Sequence, residues 1–167
     1  MGQVTVRRVQ ARDAALVRAL RLEMLAVAPL AFLERIDEAA QRSHTEFRAR
    51  IAARAVDRDS AQFIALADER VIANAGGWAP PGTTGVTMIF AVYVTPRWRG
   101  TGILGQLVDV IAQWSRDAGR PRLELEVILG NDRAIRAYQR LGFVDTGQRA
   151  PHPTIPGLLE LLMTRPA

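Results

Sequence analysis

Cysteine is absent from the 167 residues. A disulfide framework, a thiolate metal site, an iron–sulfur cluster and a cysteine acyl-enzyme are all excluded by that absence. Lysine is absent as well, and all 22 basic residues are arginine. Aromatics make up 6% of the chain, which is thin material for the stacking platforms that hold single-stranded nucleic acid. Apolar runs are short, as in Ile89-Phe-Ala-Val-Tyr-Val94, and none is long enough to cross a bilayer. The opening Met-Gly-Gln-Val-Thr-Val lacks a basic-then-apolar leader. These absences predict a cytoplasmic protein with no membrane segment. His44 and His152 stand far apart without cysteine or Asp-rich companions, so no metal site is expected, and both read as surface or loop residues. No Gly-x-Ser-x-Gly is present to supply a serine-hydrolase nucleophile.

What is present is an ordinary globular composition, 49% apolar and 23% charged. The length fits one domain, residues 1–167, with no linker, repeat or low-complexity tract. The formal charge is +5. Codon bias in a GC-rich genome would account for arginine without lysine. A phosphorylated ligand would also, because planar guanidinium forks suit phosphate. Nucleic acid is disfavoured, because the arginines are scattered and no basic block exceeds two residues.

Val4 to Val9 alternates like a first strand. Asp13 opens a helical pattern through Leu16, Leu20, Met24 and Val27, which Ala28-Pro29 breaks. A second helix is predicted from Thr45, its cap, to Ala55. Gln62–Ala67 and Val71–Trp78 read as a hairpin, and Pro80–Gly85 reads as a loop. Val86–Thr95 is a strand stopped by Pro96. Leu104, Leu107, Val108, Ile111, Ala112 and Trp114 trace an amphipathic helix ended by Gly119-Arg120-Pro121. Arg122–Leu129 is the next strand, followed by a short helix from Asn131 or Asp132 to Leu141. Phe143–Arg149 and Leu158–Thr164 close the chain as strands. The unit from Val86 to Leu129 is strand–helix–strand, which implies a right-handed parallel crossover.

Three segments carry chemistry. Arg97-Trp-Arg-Gly-Thr-Gly-Ile-Leu-Gly105 lies between a strand and a helix. Its glycines admit a ligand to the backbone, and the first helical N–H groups are free to face an anion. It reads either as a pyrophosphate cradle or as a glycine-rich turn with two exposed arginines. Gly100-Thr-Gly102-Ile-Leu-Gly105 also matches the G-x-G-x-x-G dinucleotide fingerprint. That reading fails because Pro96 to Arg99 separate the strand from the first glycine, and too little chain follows Glu126 for a doubly wound sheet. In Leu123-Glu-Leu-Glu-Val-Ile-Leu129, Leu123, Leu125 and Val127 face one way while Glu124, Glu126 and Ile128 face the other. Two carboxylates on one face mark either a solvated sheet face or a polar active-site wall with a general base. In Asn131-Asp-Arg-Ala-Ile-Arg-Ala-Tyr-Gln-Arg-Leu-Gly-Phe143, Tyr138 reads as a core aromatic and Asn131 as a helix cap.

Taken together, these segments resemble the GNAT-superfamily N-acetyltransferases. The resemblance rests on Val92-Tyr-Val-Thr-Pro96, Arg99-Gly-Thr-Gly-Ile103, Leu125-Glu-Val127, and Asn131 with Ala134-Ile135, Tyr138 and Leu141-Gly-Phe143. It runs from about Val86 to Phe143. The family's Gln/Arg-x-x-Gly-x-Gly/Ala signature falls on Arg99, Gly102 and Leu104, with leucine at the last small position and Gly105 following it. The fold implied is α+β: a mixed, mostly antiparallel sheet flanked by helices, with a central parallel strand pair splayed at the cofactor site. The cosubstrate implied is acetyl-CoA, without a metal, and the partner is an amine acceptor. Backbone groups of Val92, Tyr93 and Val94 would bind the pantetheine arm. Backbone N–H groups of Gly100, Thr101, Gly102, Ile103, Leu104 and Gly105 would hold the pyrophosphate, with Arg99 adding side-chain charge. Asn131 would bind CoA or orient its loop. Glu126 would be the general base, with Glu124 as its alternate. An N–H near Val94 would stabilise the oxyanion, and Tyr138 would protonate the departing thiolate. Trp78 and Trp98 would flank the cleft, and the Pro80–Gly85 loop and Pro29–Ser43 segment would rim the acceptor side. Transfer would be direct, since no cysteine can carry the acetyl group. A non-catalytic acyl-CoA sensor is the alternative. Neither a specific nucleic acid nor a membrane is an expected partner, while a homodimer is compatible with the family.

Overall fold

A computed structural model describes residues 3–167. Seven strands form one sheet: β1 (Val4–Arg8), β2 (Ser60–Ala67), β3 (Arg70–Trp78), β4 (Val86–Val94), β5 (Arg122–Ile128), β6 (Val144–Pro151) and β7 (Leu159–Pro166). Their spatial order is β1-β2-β3-β4-β5-β7-β6. Only β4 and β5 run parallel, and every other neighbouring pair is antiparallel. The sheet is therefore the mixed one expected. Among the described residues, no helix is long and apolar enough to cross a membrane.

Alternation along the strands divides the core between the two faces of the sheet. One face carries Phe63, Ala65, Ala73, Ile89, Leu123 and Leu125, covered by Leu107, Val108 and Ile111 of α4 (Ile103–Asp117). Of the stripe of α4 that the sequence marked as apolar, Leu107, Val108, Ile111 and Ala112 are buried, while Leu104 and Trp114 are partly buried. The other face carries Ile64, covered by α1 (Ala14–Val27) and α3 (His44–Val56) through Val17, Phe47 and Ile51.

Two local readings change. Helix α3 starts one residue earlier than predicted. Ser43, not Thr45, caps it: its hydroxyl accepts from the Glu46 N–H at 3.2 Å while the Glu46 carboxylate accepts from the Ser43 N–H at 3.0 Å. That reciprocal pair satisfies two orphan donors, which Thr45 inside the first turn does not do. The segment from Pro29 to Ser43, to which the sequence assigns no element, contains the short helix α2 (Ile36–Gln41). One turn and a half with few apolar residues leaves no periodicity to read.

Strand β4 carries the feature that shapes the molecule. Its pairing with β3 shifts by one residue: Gly76 faces Phe90, but Asn74 faces Tyr93. The extra residue falls at Ala91, whose φ of +51° lies in the left-handed region and marks a β-bulge. The Asn74 amide holds it by donating to the Ala91 carbonyl at 2.9 Å. The pairing of β4 with β5 ends at Ile89, just before the bulge. Val86 to Ile89 pair with Arg122 to Leu125, and no pairing continues past Ile89 and Leu125. The last residues of β5 stay attached to β7 instead, with Glu126 opposite Leu162 and Ile128 opposite Glu160. The result is a fork between the C-terminal halves of two parallel strands.

Candidate active site

The fork opens on a groove of about 510 Å3. Val92, Tyr93 and Val94 form one wall, Gly100, Gly102, Leu104 and Gly105 the floor, and Ala134, Tyr138 and Leu141 of helix α5 (Asp132–Arg140) and the turn after it the other wall. The free edge of β4 faces this space. Thr95 donates its N–H back to Ile72 at 2.9 Å, so the preceding residue, Val94, turns its amide away from β3 and toward the fork. Its carbonyl there accepts from the Arg99 Nε at 2.9 Å. Arg99 thereby braces the strand end as well as placing its charge beside the groove.

The turn from β4 into α4 depends on Gly100 at φ +77° and Gly102 at φ +86°. A side chain at either position would strain the left-handed backbone, although no atom stands within 4 Å of where its Cβ would lie. The first helical bond of α4 is from the Gln106 N–H to the Gly102 carbonyl at 3.2 Å. The N–H groups of Ile103, Leu104 and Gly105 therefore lack partners inside the helix and sit at its positive end. Two side chains of the expected backbone cradle are engaged elsewhere. Thr101 donates its hydroxyl to the Trp98 carbonyl at 2.7 Å, and Ile103 is buried in the core, leaving each a backbone contribution only. Asn131 caps α5, its Oδ1 accepting from the Ala134 N–H at 3.3 Å, so the side chain orients the helix that carries Tyr138.

Tyr138 lies on the groove wall and packs edge-on against Phe143, with ring centroids 5.8 Å apart. Burial pushes its phenol above the ordinary tyrosine range, so it holds its proton. Glu124 and Glu126 project from the opposite face of β5 to Leu125 and Val127. The two differ. Glu124 is half-buried and ion-paired to Arg122 at 3.0 Å, whereas Glu126 is exposed beyond the last paired residues of the fork. Tyr138 and the glutamates thus stand on opposite faces of the sheet, with the fork between them.

Three sequence readings are corrected. Trp98 lines the groove, but Trp78 does not flank it: it pairs with Met88 near the start of β4, remote from Val94. The Pro80–Gly85 loop lies at that same remote end, where Gly85 accepts from the Arg122 N–H at 3.1 Å. His152 is not a surface residue. It is buried, its Nδ1 accepting from the Ile155 N–H at 3.2 Å and its Nε2 standing 3.9 Å from Glu160. Burial and the nearby Glu126 raise the Glu160 carboxyl, and His152 partly offsets them.

A second cavity, of about 320 Å3, lies on the other face of the sheet between α1, α2, α3 and the bulge. Phe90 and Ala91 line it, so it reaches the base of the fork from behind. The Pro29–Ser43 segment lines this cavity with Glu34, Glu38 and Arg42. A hydrogen-bond chain crosses the cavity floor. Arg54 donates to the Gln62 Oε1 at 2.9 Å, Gln62 to the Asn74 Oδ1 at 2.6 Å, and Asn74 to the Ala91 carbonyl. None of these residues was singled out from the sequence, because they come from separate elements and share no spacing.

The acetyltransferase (GNAT) family matches residues 23–143. The rat N-acetyltransferase 8B is 32% identical over 98 residues, which cover 57% of this chain and 44% of the rat protein. The match therefore spans less than half the length of that curated relative. Among solved structures, a GNAT-family acetyltransferase from Streptococcus pneumoniae superposes with a TM-score of 0.82 at 19% identity, covering 98% of this chain and 99% of that one. An acetyltransferase of Salmonella typhimurium, solved with its cofactor acetyl-CoA, gives 0.78 at 18% identity over 99% and 94% of the two chains. Likeness at such identities speaks to the fold.

Proposed function

The chain belongs to the acetyltransferase (GNAT) family, and from that premise we propose that residues 1–167 form one domain that transfers an acetyl group from acetyl-CoA directly to a primary amine. Acetyl-CoA supplies the acetyl group as a thioester. One observation carries the reading: the unpaired edge of β4, the glycine turn with its free helical N–H groups, and the Tyr138 phenol all line a single groove. An extended, amide-bearing arm fits against Val92 to Val94 as an added strand would. A diphosphate fits the positive end of α4, where partnerless N–H groups and the helix dipole favour an anion.

The residues divide the remaining work. Glu126, free at the mouth of the fork, takes the proton that the amine must lose before it attacks. Glu124 is the weaker candidate because its carboxylate is already committed to Arg122. The Val94 N–H, turned toward the fork, stabilises negative charge developing on the acyl oxygen. Tyr138, held protonated by burial, donates to the departing sulfur. The amine enters from the cavity behind the bulge, so base and acid work from opposite faces of the sheet.

The test has two parts. Calorimetry with CoA should show one binding event, and a thiol-release assay should show CoA produced in the presence of an acceptor amine. CoA binding without release across a broad amine panel would replace the enzyme with a sensor domain. Absence of CoA binding would remove the reading altogether.

A further inference from the structure

The cavity behind the bulge has a charge that the transfer chemistry alone does not require. Four arginines line it, Arg21, Arg42, Arg50 and Arg54, against two glutamates, Glu34 and Glu38. Glu34 is shared, accepting from Arg21 at 2.8 Å and from Arg42 as well. One carboxylate thus serves two guanidinium groups. Arg50 and Arg54 have no carboxylate partner within ion-pair distance among the described residues. Arg54 instead meets the neutral Gln62 and lies over the Phe90 ring, its carbon 5.0 Å from the centroid. Burial lowers its pKa to about 10, with Arg50 adding repulsion. Burial likewise lowers Arg50, and Arg42 repels it. The half-buried Arg54 guanidinium has no carboxylate partner and stands beside other cations, with the more exposed Arg50 next to it; an anion entering the cavity relieves that repulsion. Guanidinium forks suit the flat oxyanions.

Resting on the acetyltransferase reading of the same fork, we infer that the acceptor is a small primary amine that also carries an oxyanionic group, a carboxylate or a phosphate. The oxyanion lies against Arg50 and Arg54, and the amine points past Ala91 into the fork. Size argues for a metabolite rather than a protein tail: a cavity of about 320 Å3 lies at the low end of small-ligand sites. The Gln62–Asn74 chain ties Arg54 to the bulge carbonyl. The residue that grips the anion is thus braced against the strand that presents the thioester.

The experiment compares matched amines in the thiol-release assay. Amino carboxylates and phosphate esters of amino alcohols are set against the same amines without the anion, and CoA binding is followed by calorimetry. The expected result is a kcat/KM at least roughly tenfold higher for the anionic member of each pair, the size of one charge-assisted contact. Comparing carboxylates with phosphates then shows which oxyanion is used. Arg54→Gln and Arg50→Gln should each shrink that ratio through KM; Arg50 lies on an exposed turn of α3, so its variant folds even if that of Arg54 does not. Arg50→Glu should reverse the preference toward diamines. Equal or better turnover of the anion-free amines overturns the inference, as does a ratio that the arginine variants leave untouched. No turnover by any amine with CoA still bound overturns it together with the transferase reading and leaves only the cofactor site standing. Loss of CoA binding itself would fall on the acetyltransferase reading instead.

Discussion

The two sides of the fork are made from different materials. On the cofactor side the chain offers backbone: the free edge of β4, the N–H groups that open α4, and apolar walls from Val92, Leu104 and Leu141. All of it comes from one continuous stretch, Val92 to Leu141. On the proposed acceptor side the chain offers side chains. Arg21 comes from α1, Glu34 and Arg42 from either side of α2, Arg54 from α3, and Gln62 and Asn74 from neighbouring strands. A backbone site constrains the sequence through spacing, because glycines must fall where φ is positive. A side-chain site constrains only which charges meet after folding, and those can come from anywhere. One half can thus bind a fixed cosubstrate while the other half is free to set the acceptor.

The largest expected effect lies on the cofactor side. Tyr138→Phe removes the proposed proton donor and almost nothing else, since the ring still packs on Phe143. Turnover should fall by about 10²–10⁴-fold, the usual worth of a general acid. CoA affinity measured by calorimetry should stay within a few-fold. A variant that keeps its turnover would make Tyr138 a core aromatic only. Across the sheet, Glu126→Gln should cost about 10²-fold in kcat at neutral pH. Glu124→Gln should cost only a few-fold, because it breaks a half-buried pair with Arg122 rather than the reacting contact. The reverse order would exchange the two roles.

The same contrast explains what could be read from the sequence. The strand and helix order followed from period-two and period-3.6 patterns, and the parallel pair followed from the strand–helix–strand unit. The groove was legible because Gly100, Gly102, Leu125–Val127, Asn131 and Tyr138 keep fixed distances along the chain. The bulge was not legible. Ala91 adopts φ +51° without being glycine or asparagine, so nothing in its identity signals a kink. It is held by Asn74, on a neighbouring strand. His152 does lie in a loop, between β6 and β7, but it is buried rather than at the surface, because its partners are the backbone of the next turn and Glu160 of the following strand. The arginine cavity was hidden for the same reason: scattered arginines look like composition until the fold gathers them.

A pair of substitutions tests whether the halves are separable. Gly102→Ala forces a side chain into the left-handed region at φ +86°, costing about 1–2 kcal/mol. CoA should bind roughly tenfold more weakly, while the KM for the amine moves little. Asn74→Ala removes the support of the bulge and leaves the Gln62 amide without its acceptor. It should lower stability by about 1–3 kcal/mol and reduce kcat while CoA affinity holds. If both variants disturb cosubstrate and amine alike, the fork is one cooperative unit and the contrast breaks.

The smallest effect is optical. The chain has only two tyrosines, Tyr93 and Tyr138, one from each face of the sheet. Burial and a 2.9 Å hydrogen bond to Glu23 raise Tyr93 to about 12, and burial alone raises Tyr138. An ordinary tyrosine is half ionised near pH ~10, so the folded protein should show almost no tyrosinate absorbance at that pH. The sign of the linkage follows. A phenol whose folded pKa exceeds its unfolded one favours the native state fully below the unfolded value, and that contribution is lost as pH rises through the folded value. The protein should therefore begin to lose stability only above pH ~10 on account of these two groups, and tyrosinate should appear together with unfolding. In Tyr138→Phe the remaining signal reports Tyr93 alone. Saturating CoA should delay both contributions, because a ligand that binds only the folded chain postpones the unfolding that exposes the two phenols. A half-sized step at pH ~10 that CoA does not move would mean that the Tyr138 hydroxyl is open to solvent by another route, and its place on the cofactor side would have to be given up.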